Sequence, residues 1–187
     1  MSKLAVVFPG IGYTADKPLL HYGRRLAAAH GYEIRIMDYR NFPAKVKGDR
    51  KRMEESFLIA LKQSEDMLSG TDLNGYEDIL FIGKSIGTIV AAKLASESPA
   101  KDRIRLILYT PLEDTFSFPL GKSIAFTGNN DPWTGGEKSR ISGLCEEQGI
   151  PCFRIANANH SLESKDTLID IKELYRIMEE TERFIRE

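Results

Sequence analysis

A serine between two glycines offers this 187-residue chain a candidate nucleophile. Gly83-Lys84-Ser85-Ile86-Gly87 has the pattern G-x-S-x-G, and it stands between an apolar, strand-like run and an Ala-rich helical one. The turn that presents Ser85 is so tight that the neighbouring positions must lack side chains, as glycines do. The N–H groups of the following helix would then point at an oxyanion formed beside Ser85. The pattern alone also fits a strand-to-helix turn with a capping serine.

The base that a serine nucleophile needs can be sought among three histidines. In serine enzymes with this strand–turn–helix element, the partners follow in the order Ser, then Asp or Glu, then His. His160 is the only histidine downstream of Ser85, and it follows a short predicted strand, where a strand-end loop is expected. His21 and His30 precede Ser85 and are interpreted as surface or helix-end residues. His160 is therefore the predicted base.

The carboxylate that orients the base is expected in the loop after another strand. Asp131 stands in such a loop, within Thr127-Gly128-Asn129-Asn130-Asp131-Pro132-Trp133. An Asx-turn or helix-cap role before Pro132 is its structural alternative. Glu113 and Asp114 follow the preceding predicted strand and offer the alternative acid. We predict Asp131 as the third member of a Ser-His-Asp triad.

The elements that must position these residues alternate between β-branched runs and longer helical periods. This alternation predicts one domain over 1–187, with a doubly wound, mostly parallel six-stranded sheet and helices on both faces. Sites in such sheets lie at the carboxyl ends of the strands, where the candidate residues stand. The predicted strands are 4–8, 33–38, 78–83, 104–109, 123–127 and 151–156, and the predicted helices are 17–30, 50–69, 86–98, 137–148 and 165–186.

The G-x-S-x-G turn at 83–87, a pattern known as the nucleophile elbow, is followed along the chain by 128–131 and then by Asn159-His160. With these segments in this order, the chain resembles the α/β-hydrolase fold family over nearly its whole length. The resemblance implies an oxyanion hole formed by the N–H of Ile86 and a second N–H from the loop Pro9-Gly10-Ile11-Gly12-Tyr13. By position Ile11 would donate it, with Gly12 as the alternative. Many members have His-Gly where this chain has Pro9-Gly10, so the loop matches more loosely.

The family resemblance also indicates what surrounds the site. Gly12, Tyr13 and Lys84 flank it and are candidate substrate contacts, although Tyr13 and Lys84 also fit solvated surface. The connection 110–122 is too short for the helix or lid of larger members, so a minimal fold without a lid is expected. Phe116 and Phe118 would then form an apolar rim, or else cap the core where that helix is missing.

We therefore predict a serine hydrolase acting on a small-molecule acyl substrate, a carboxylic ester first, with thioester and amide as alternatives. A non-catalytic binding protein on the same fold is one rival. A dinucleotide-binding protein is another, because Gly10-Ile11-Gly12 opens a G-x-G-x-x-A pattern and Asp38 ends the second predicted strand. Against it, Asp16-Lys17-Pro18 makes the helix begin late, and Ser85, Asp131 and His160 stay unexplained.

Composition weighs against other classes of function. With 26 Lys+Arg against 27 Asp+Glu, the net charge of −1 gives no general reason to bind nucleic acid or an anionic membrane. No apolar run approaches the ~18 residues of a membrane span, and the run 4–8 is too short for a signal peptide. We expect a cytoplasmic protein without metal or cofactor, with a homodimer left open. Cys145 and Cys152 lack metal-ligand spacing and are expected to pack in the interior.

Overall fold

The computed structural model describes residues 2–187 and places six parallel strands in one sheet. The strand order is β2-β1-β3-β4-β5-β6, so the prediction of a doubly wound, mostly parallel sheet is confirmed, and every neighbouring pair is parallel. The strands are β1 (Lys3–Phe8), β2 (Tyr32–Ile36), β3 (Asp78–Lys84), β4 (Ile104–Tyr109), β5 (Ser123–Gly128) and β6 (Cys152–Ile155).

Helices cover both faces of the sheet. The two outer helices of the chain, α1 and α5, pack together on one face, and α2, α3 and α4 lie on the other. The central strands β4 and β5 are buried along their whole length, as their continuous apolar runs indicate for strands covered on both faces. The helices are α1 (Pro18–Ala29), α2 (Arg50–Leu68), α3 (Ile86–Glu97), α4 (Ile141–Glu147) and α5 (Thr167–Arg186).

The helix predicted over 137–148 is the element that differs most from expectation. A 3-10 turn over Gly136–Lys138 comes first, and α4 begins only at Ile141. Gly135 and Gly136 both have positive φ, which keeps the chain out of a right-handed helix at this point. The predicted helix started at 137, directly after these glycines, but Ser139 has the extended angles φ −57° and ψ 132°, so the helix begins only beyond it.

The connection between β4 and β5 contains no lid. It holds a 3-10 helix, Glu113–Ser117, in place of a full helix. Gln148 fastens this segment to the end of α4, because its side-chain amide donates to the carbonyls of Phe116 and Phe118 at 3.0 and 3.3 Å. The predicted minimal fold without a lid is confirmed.

The strand order places a switch point between β1 and β3. The chain runs from β1 outward to β2, then returns to form β3 on the other side of β1. Loops that leave these two strands diverge, and a crevice opens at their carboxyl ends. The turn after β1 and the elbow after β3 meet there. None of the helices in residues 2–187 is long and apolar enough to cross a membrane.

A buried arginine ties four elements together at the opposite end of the sheet. Arg105 on β4 is 9% exposed and pairs with Asp78 on β3 at 2.9 Å. It also donates to the Tyr32 hydroxyl at 2.6 Å and to the carbonyls of Phe184 and Ile185 in the last turn of α5. A cation there satisfies carbonyls that no helical N–H can reach.

Replacing this arginine should therefore destabilise the fold without touching the crevice. We expect Arg105→Met to lower the free energy of unfolding by ~2–4 kcal/mol, because it leaves Asp78 without its cation, bound only by the Tyr32 hydroxyl, and two carbonyls without this donor. Urea denaturation measures the loss. Arg176→Met, which removes an exposed pair with Glu173, is the matched control and should cost at most about 0.5 kcal/mol. Equal effects in the two variants would contradict this account.

Candidate active site

Ser85 sits at the sharp turn between β3 and α3 in a strained backbone conformation, with φ +56° and ψ −125°. A Cβ at Gly87 would lie 2.1 Å from the Phe8 carbonyl oxygen, and one at Gly83 would lie 2.9 Å from the Thr88 Cα. No side chain fits at either glycine. The sequence-based reason for the two glycines, a turn too tight for neighbouring side chains, agrees with these distances.

Hydrogen bonds hold the strained turn in place. The Ser85 N–H donates to the Tyr109 carbonyl of β4 at 3.1 Å, and the Ser85 carbonyl accepts from the N–H and hydroxyl of Thr88 at 2.8 and 2.6 Å. The Thr88 hydroxyl also lies 2.7 Å from that of Thr115, in the 3-10 segment after β4. The backbone around the serine is therefore anchored by two neighbouring elements, which a residue with positive φ requires.

His160 bridges Ser85 and Asp131. Its Nε2 lies 2.8 Å from Ser85 Oγ, and its Nδ1 lies 2.6 Å from Asp131 Oδ2. The loops after β5 and β6 can deliver these side chains because they touch: a Cβ at Gly128 would lie 2.2 Å from the Ala158 carbonyl oxygen. The structure thus brings together the three residues that the sequence selected from distant parts of the chain.

Asp131 is fully buried and rigidly held. Its Oδ1 accepts from the Trp133 N–H at 2.9 Å, and its own carbonyl accepts from the Gly136 N–H at 2.8 Å. The Asx turn that offered a structural alternative for this aspartate is therefore present, and it leaves Oδ2 for His160. The alternative acids Glu113 and Asp114 lie exposed on the 3-10 segment, and Glu113 pairs with Arg140 at 3.7 Å. Neither bonds to His160.

The surroundings of His160 favour a neutral imidazole. Burial lowers the pKa of His160; the hydrogen bond to Asp131 raises it, and the charges of Lys84 and Lys47 lower it further. The Trp133 ring stacks on the imidazole with centroids 5.3 Å apart. With Nδ1–H donating to Asp131, the free Nε2 accepts the Ser85 hydroxyl proton. This is the protonation state of a general base.

The two predicted oxyanion donors belong to α3 and to the turn after β1, which meet at the serine. Ile86 is the first residue of α3, so its N–H has no acceptor within the helix. After β1, Gly10 and Tyr13 exchange both backbone hydrogen bonds, which leaves Ile11 and Gly12 at the tip of the turn. A Cβ at Gly10 would lie 3.2 Å from Ser85 Cβ, so this turn runs directly beside the serine.

Tyr13 and Lys84 are buried, so neither is solvated surface. The Tyr13 hydroxyl accepts from the Leu19 N–H at 3.1 Å and closes the N-terminus of α1. Lys84 is 2% exposed, and its Nζ lies 4.8 Å from the centroid of the Tyr13 ring. Burial lowers the pKa of Lys84 to about 7, against the attraction of Asp131 and Glu163. A lysine that is half neutral near pH 7 therefore stands next to the serine in the chain.

An apolar cluster adjoins the elbow on the side of α2. It continues into two clefts, of about 270 and 670 Å³, that share Arg50, Met53 and Asp114 in their walls. Phe118 lines the smaller cleft, whereas Phe116 packs against the core beneath it. The buried members are Ile86, Ile89 and Leu112, and Ile11, Met53, Phe57, Phe118 and Trp133 pack against them.

Met53, Phe57 and Trp133 are site-lining residues that sequence reasoning did not assign to the site. Met53 and Phe57 stand four residues apart in the helix predicted over 50–69, a spacing that indicates a shared apolar face but not which loop that face meets. Trp133 had a usable signal, because it stands two residues after Asp131 in the same strand-end loop.

The dinucleotide pattern lies elsewhere in the crevice. Gly10, Gly12 and Asp38 line a separate cavity of about 370 Å³ at the carboxyl ends of β1 and β2. A pyrophosphate would need free N–H groups at the start of α1. That helix begins with Pro18, and the next N–H, that of Leu19, donates to Tyr13. The cradle that this rival requires is therefore not formed.

The two cysteines pack in the core and do not line the candidate site. Cys145 is fully buried, and Cys152 packs against the same core cluster, with its Sγ 3.9 Å from Ser142 Oγ. Within residues 2–187, no group of three or more His, Cys, Asp or Glu side chains is arranged to hold a metal ion.

No protein-family model and no curated protein matches the chain, but solved structures do. An α/β serine hydrolase without a lid from Xanthomonas campestris has a TM-score of 0.69 at 14% identity, over 98% of this chain and 81% of its own. An α/β serine hydrolase homologue from Coxiella burnetii has a TM-score of 0.68 at 15% identity, over 97% of this chain and 84% of its own. An esterase from Pyrococcus furiosus has a TM-score of 0.63 at 14% identity, over 98% of this chain and 84% of its own. This chain has the α/β-hydrolase fold.

The burial of Lys84 has a consequence for stability. An unfolded lysine titrates near 10.5, and the folded pKa of Lys84 is about 7. Between these two pH values the folded state binds fewer protons than the unfolded state does. The free energy of unfolding therefore increases as pH rises from 7 to 10.5, and the contribution of Lys84 to it is most unfavourable below pH 7. We expect Lys84→Met to be more stable than the wild type at pH 6.5 by roughly 2–4 kcal/mol, and this advantage to disappear towards pH 10.

Urea denaturation of both proteins across this pH range measures the difference. Lys93→Met is the matched control, because Lys93 is a less buried lysine paired with Glu97 on α3. Its stability difference from the wild type should not grow below pH 7. A constant difference for Lys84→Met would show that its amine is not buried as described.

Proposed function

We propose that this protein is a serine hydrolase that cleaves a carboxylic ester, with Ser85 as nucleophile, His160 as general base and Asp131 as the orienting acid. The supporting observation is the continuous hydrogen-bonded chain from Ser85 Oγ to His160 Nε2 at 2.8 Å and from His160 Nδ1 to Asp131 Oδ2 at 2.6 Å. Nucleophile, base and orienting acid stand in the geometry that acyl transfer through a serine requires.

The reaction would begin with attack of Ser85 Oγ on the acyl carbonyl carbon. His160 Nε2 takes the hydroxyl proton as the new C–O bond forms, and the carbonyl oxygen becomes an oxyanion. The N–H groups of Ile86 and Ile11, on either side of the serine, would stabilise that oxyanion. The tetrahedral intermediate then expels the alcohol, which takes its proton from His160, and leaves an acyl group on Ser85.

Hydrolysis of the acyl-enzyme repeats these steps with water. His160 removes a proton from the water, the hydroxide adds to the acyl carbon, and the departing Ser85 oxygen recovers the proton. Asp131 keeps the imidazole in the tautomer with hydrogen on Nδ1 and stabilises the imidazolium that forms twice in each cycle. Trp133 holds the ring from one face by stacking.

The acyl group would extend along the apolar cluster into the two clefts beside α2. Ile86 and Ile11 border both the proposed oxyanion hole and the apolar cluster, so a carbonyl bound between them directs its chain towards Met53 and Phe118. Met53, which both clefts share, and Phe118 in the smaller one favour an alkyl or aryl acyl group, and the charged Arg50 and Asp114 stand in the same walls. Thioesters and amides share the same acyl chemistry and are the alternative substrates.

The triad proposal predicts how two substitutions act. Ser85→Ala should keep the fold and abolish turnover of p-nitrophenyl esters, because no nucleophile remains. Asp131→Asn should lower kcat/KM by ~10³–10⁴-fold, because the amide supports the wrong imidazole tautomer. Labelling with a fluorophosphonate, mapped by peptide mass spectrometry, should modify Ser85 in the wild type and nothing in Ser85→Ala.

Asp114→Asn provides the matched control for the acid. Its carboxylate is exposed and does not bond to His160, so this variant should retain most of the wild-type turnover. Strong loss in Asp114→Asn with little loss in Asp131→Asn would move the acid to the segment after β4. A folded protein that no fluorophosphonate labels would instead be a non-catalytic binding protein on this fold.

The position of the clefts predicts the preference for acyl chain length. Each buried methylene contributes ~0.8 kcal/mol, so kcat/KM for p-nitrophenyl octanoate should exceed that for the acetate by about ten-fold or more. Met53→Trp would fill the shared wall of both clefts and should remove this preference, with acetate hydrolysis unchanged.

Leu58→Trp is the control for this substitution, because Leu58 lies on the same helix but is 56% exposed on its outer side. It should leave both substrates unaffected. An octanoate preference that survives in Met53→Trp would place the acyl chain elsewhere.

A further inference from the structure

Lys84 has no task in the reaction described above, yet its side chain is enclosed beside the site. It is 2% exposed, although lysine is almost never fully buried unless it is paired. The side chain ends at an aromatic ring, since its Nζ lies 4.8 Å from the centroid of the Tyr13 ring. A cation within about 6 Å of a ring centroid is attracted to the ring face. The side chain therefore runs towards the turn after β1.

The methylene stem of Lys84 packs against the start of that turn. A Cβ built on Gly10 would lie 3.3 Å from Lys84 Cδ and 3.2 Å from the Lys84 carbonyl oxygen. Both distances are shorter than ordinary van der Waals contact, so even a methyl group at Gly10 would press on the lysine. The backbone of Gly10 thus rests on Lys84, and glycine is the residue that allows so close an approach.

The same side chain also contacts the other end of the turn. Gly10 and Tyr13 close the turn with two backbone hydrogen bonds, of 3.1 and 3.3 Å, and Lys84 extends from one of these residues to the other. The Tyr13 ring is itself held, because its hydroxyl accepts from the Leu19 N–H at 3.1 Å. The stem of the lysine, the ring and the two hydrogen bonds therefore fix the base of the turn together.

The tip of the turn has less support than its base. Gly12 is exposed, and a Cβ there would meet no atom within 4 Å. The side chain of Ile11 packs against the apolar cluster, but its N–H is placed by the backbone between Gly10 and Tyr13. An oxyanion donor acts only when it is placed accurately, and a displacement of about 1 Å can lower a rate by ~10²-fold. The base of the turn is therefore where this accuracy is set.

We propose that Lys84 is a positioning residue for the oxyanion hole. Its buried side chain braces the turn after β1, from Gly10 to the Tyr13 ring. The brace fixes the Ile11 N–H relative to Ser85, which directly follows Lys84 in the chain. The inference rests on the proposed function for its catalytic meaning. Lys84 forms and breaks no bond in the reaction and acts through the turn alone.

Side chains of graded length at position 84 test this brace. Methionine reaches about as far as lysine, and its sulfur contacts aromatic rings favourably, so Lys84→Met should retain most of the wild-type kcat for p-nitrophenyl butyrate. Alanine reaches neither Gly10 nor the ring. Lys84→Ala should lower kcat by ~10–100-fold and change KM by less than about two-fold, because the oxyanion forms only after the substrate has bound. Lys84→Leu, which fills the space beside Gly10 but stops short of the ring, should fall between them.

Amide hydrogen exchange measures the turn without any substrate. The N–H groups of Gly10 and Tyr13 close the turn, and such amides exchange when the turn opens locally. Both should exchange about ten-fold faster or more in Lys84→Ala, and at nearly the wild-type rate in Lys84→Met. Arg105→Met is the matched control, because it removes a buried cationic side chain at the opposite end of the sheet. It should lower stability but leave kcat and the exchange of these two amides unchanged.

Three outcomes decide between the explanations. Equal kcat in Lys84→Leu and Lys84→Met would overturn the proposal, and this comparison holds even where Lys84→Ala does not fold. Lower kcat without faster exchange of Gly10 and Tyr13 would also overturn it, because Lys84 would then affect the reaction by another route. Faster exchange in Lys84→Ala, in a protein whose wild type hydrolyses no ester, would overturn the proposed hydrolase activity and keep the bracing of the turn.

Discussion

The close approach of three backbone segments at the end of β3 is the constraint on which the site depends. A Cβ at Gly87 would clash with the Phe8 carbonyl oxygen at 2.1 Å, and a Cβ at Gly10 would lie 3.2 Å from Ser85 Cβ, closer than ordinary van der Waals contact. The start of α3 therefore lies against the end of β1, and the turn after β1 lies against the serine. The positive φ of Ser85 is a strain of ~1–3 kcal/mol that the bonds to Tyr109 and Thr88 hold in place.

A second contact of this kind sets the other half of the site. The loop after β6 can reach Ser85 only because Gly128, at the end of β5, lets the Ala158 carbonyl pass at a distance that no side chain permits. His160 follows two residues later and Asp131 three residues after the glycine. Glycine positions, more than the reactive residues themselves, decide that three strand-end loops converge on one point.

Much of this arrangement could be predicted from the sequence because local signals coincide with topological ones. Ser85 and Asp131 each follow an apolar run that must be a strand, and only one histidine stands downstream of Ser85. The start of α4 shows the limit, because a helix was predicted from 137 and the extended backbone of Ser139 delays it to Ile141. The position of Met53 beside the site could not be predicted for another reason. The approach of α2 to the elbow is a tertiary contact between segments that share no local pattern.

Lys84 shows why charge is a poor guide to exposure at such a site. A lysine at a strand end is ordinarily solvated, and Tyr13 nearby could be a surface residue as well. β3 lies between β1 and β4 in the sheet, and helices cover both of its faces. Its last residue, Lys84, is therefore surrounded by neighbouring elements. It is 2% exposed, and burial lowers the pKa of its amine to about 7.

The buried charges of the site balance differently at each stage of the proposed reaction. With Lys84 neutral, the resting site carries only the charge of Asp131, and transfer of the serine proton adds an imidazolium and an oxyanion of opposite sign. With Lys84 protonated, the resting site is neutral, and the imidazolium that follows meets one carboxylate and one ammonium. Protonation of Lys84 therefore weakens the base, because a second buried cation lowers the pKa of His160, whereas the carboxylate of Asp131 raises it.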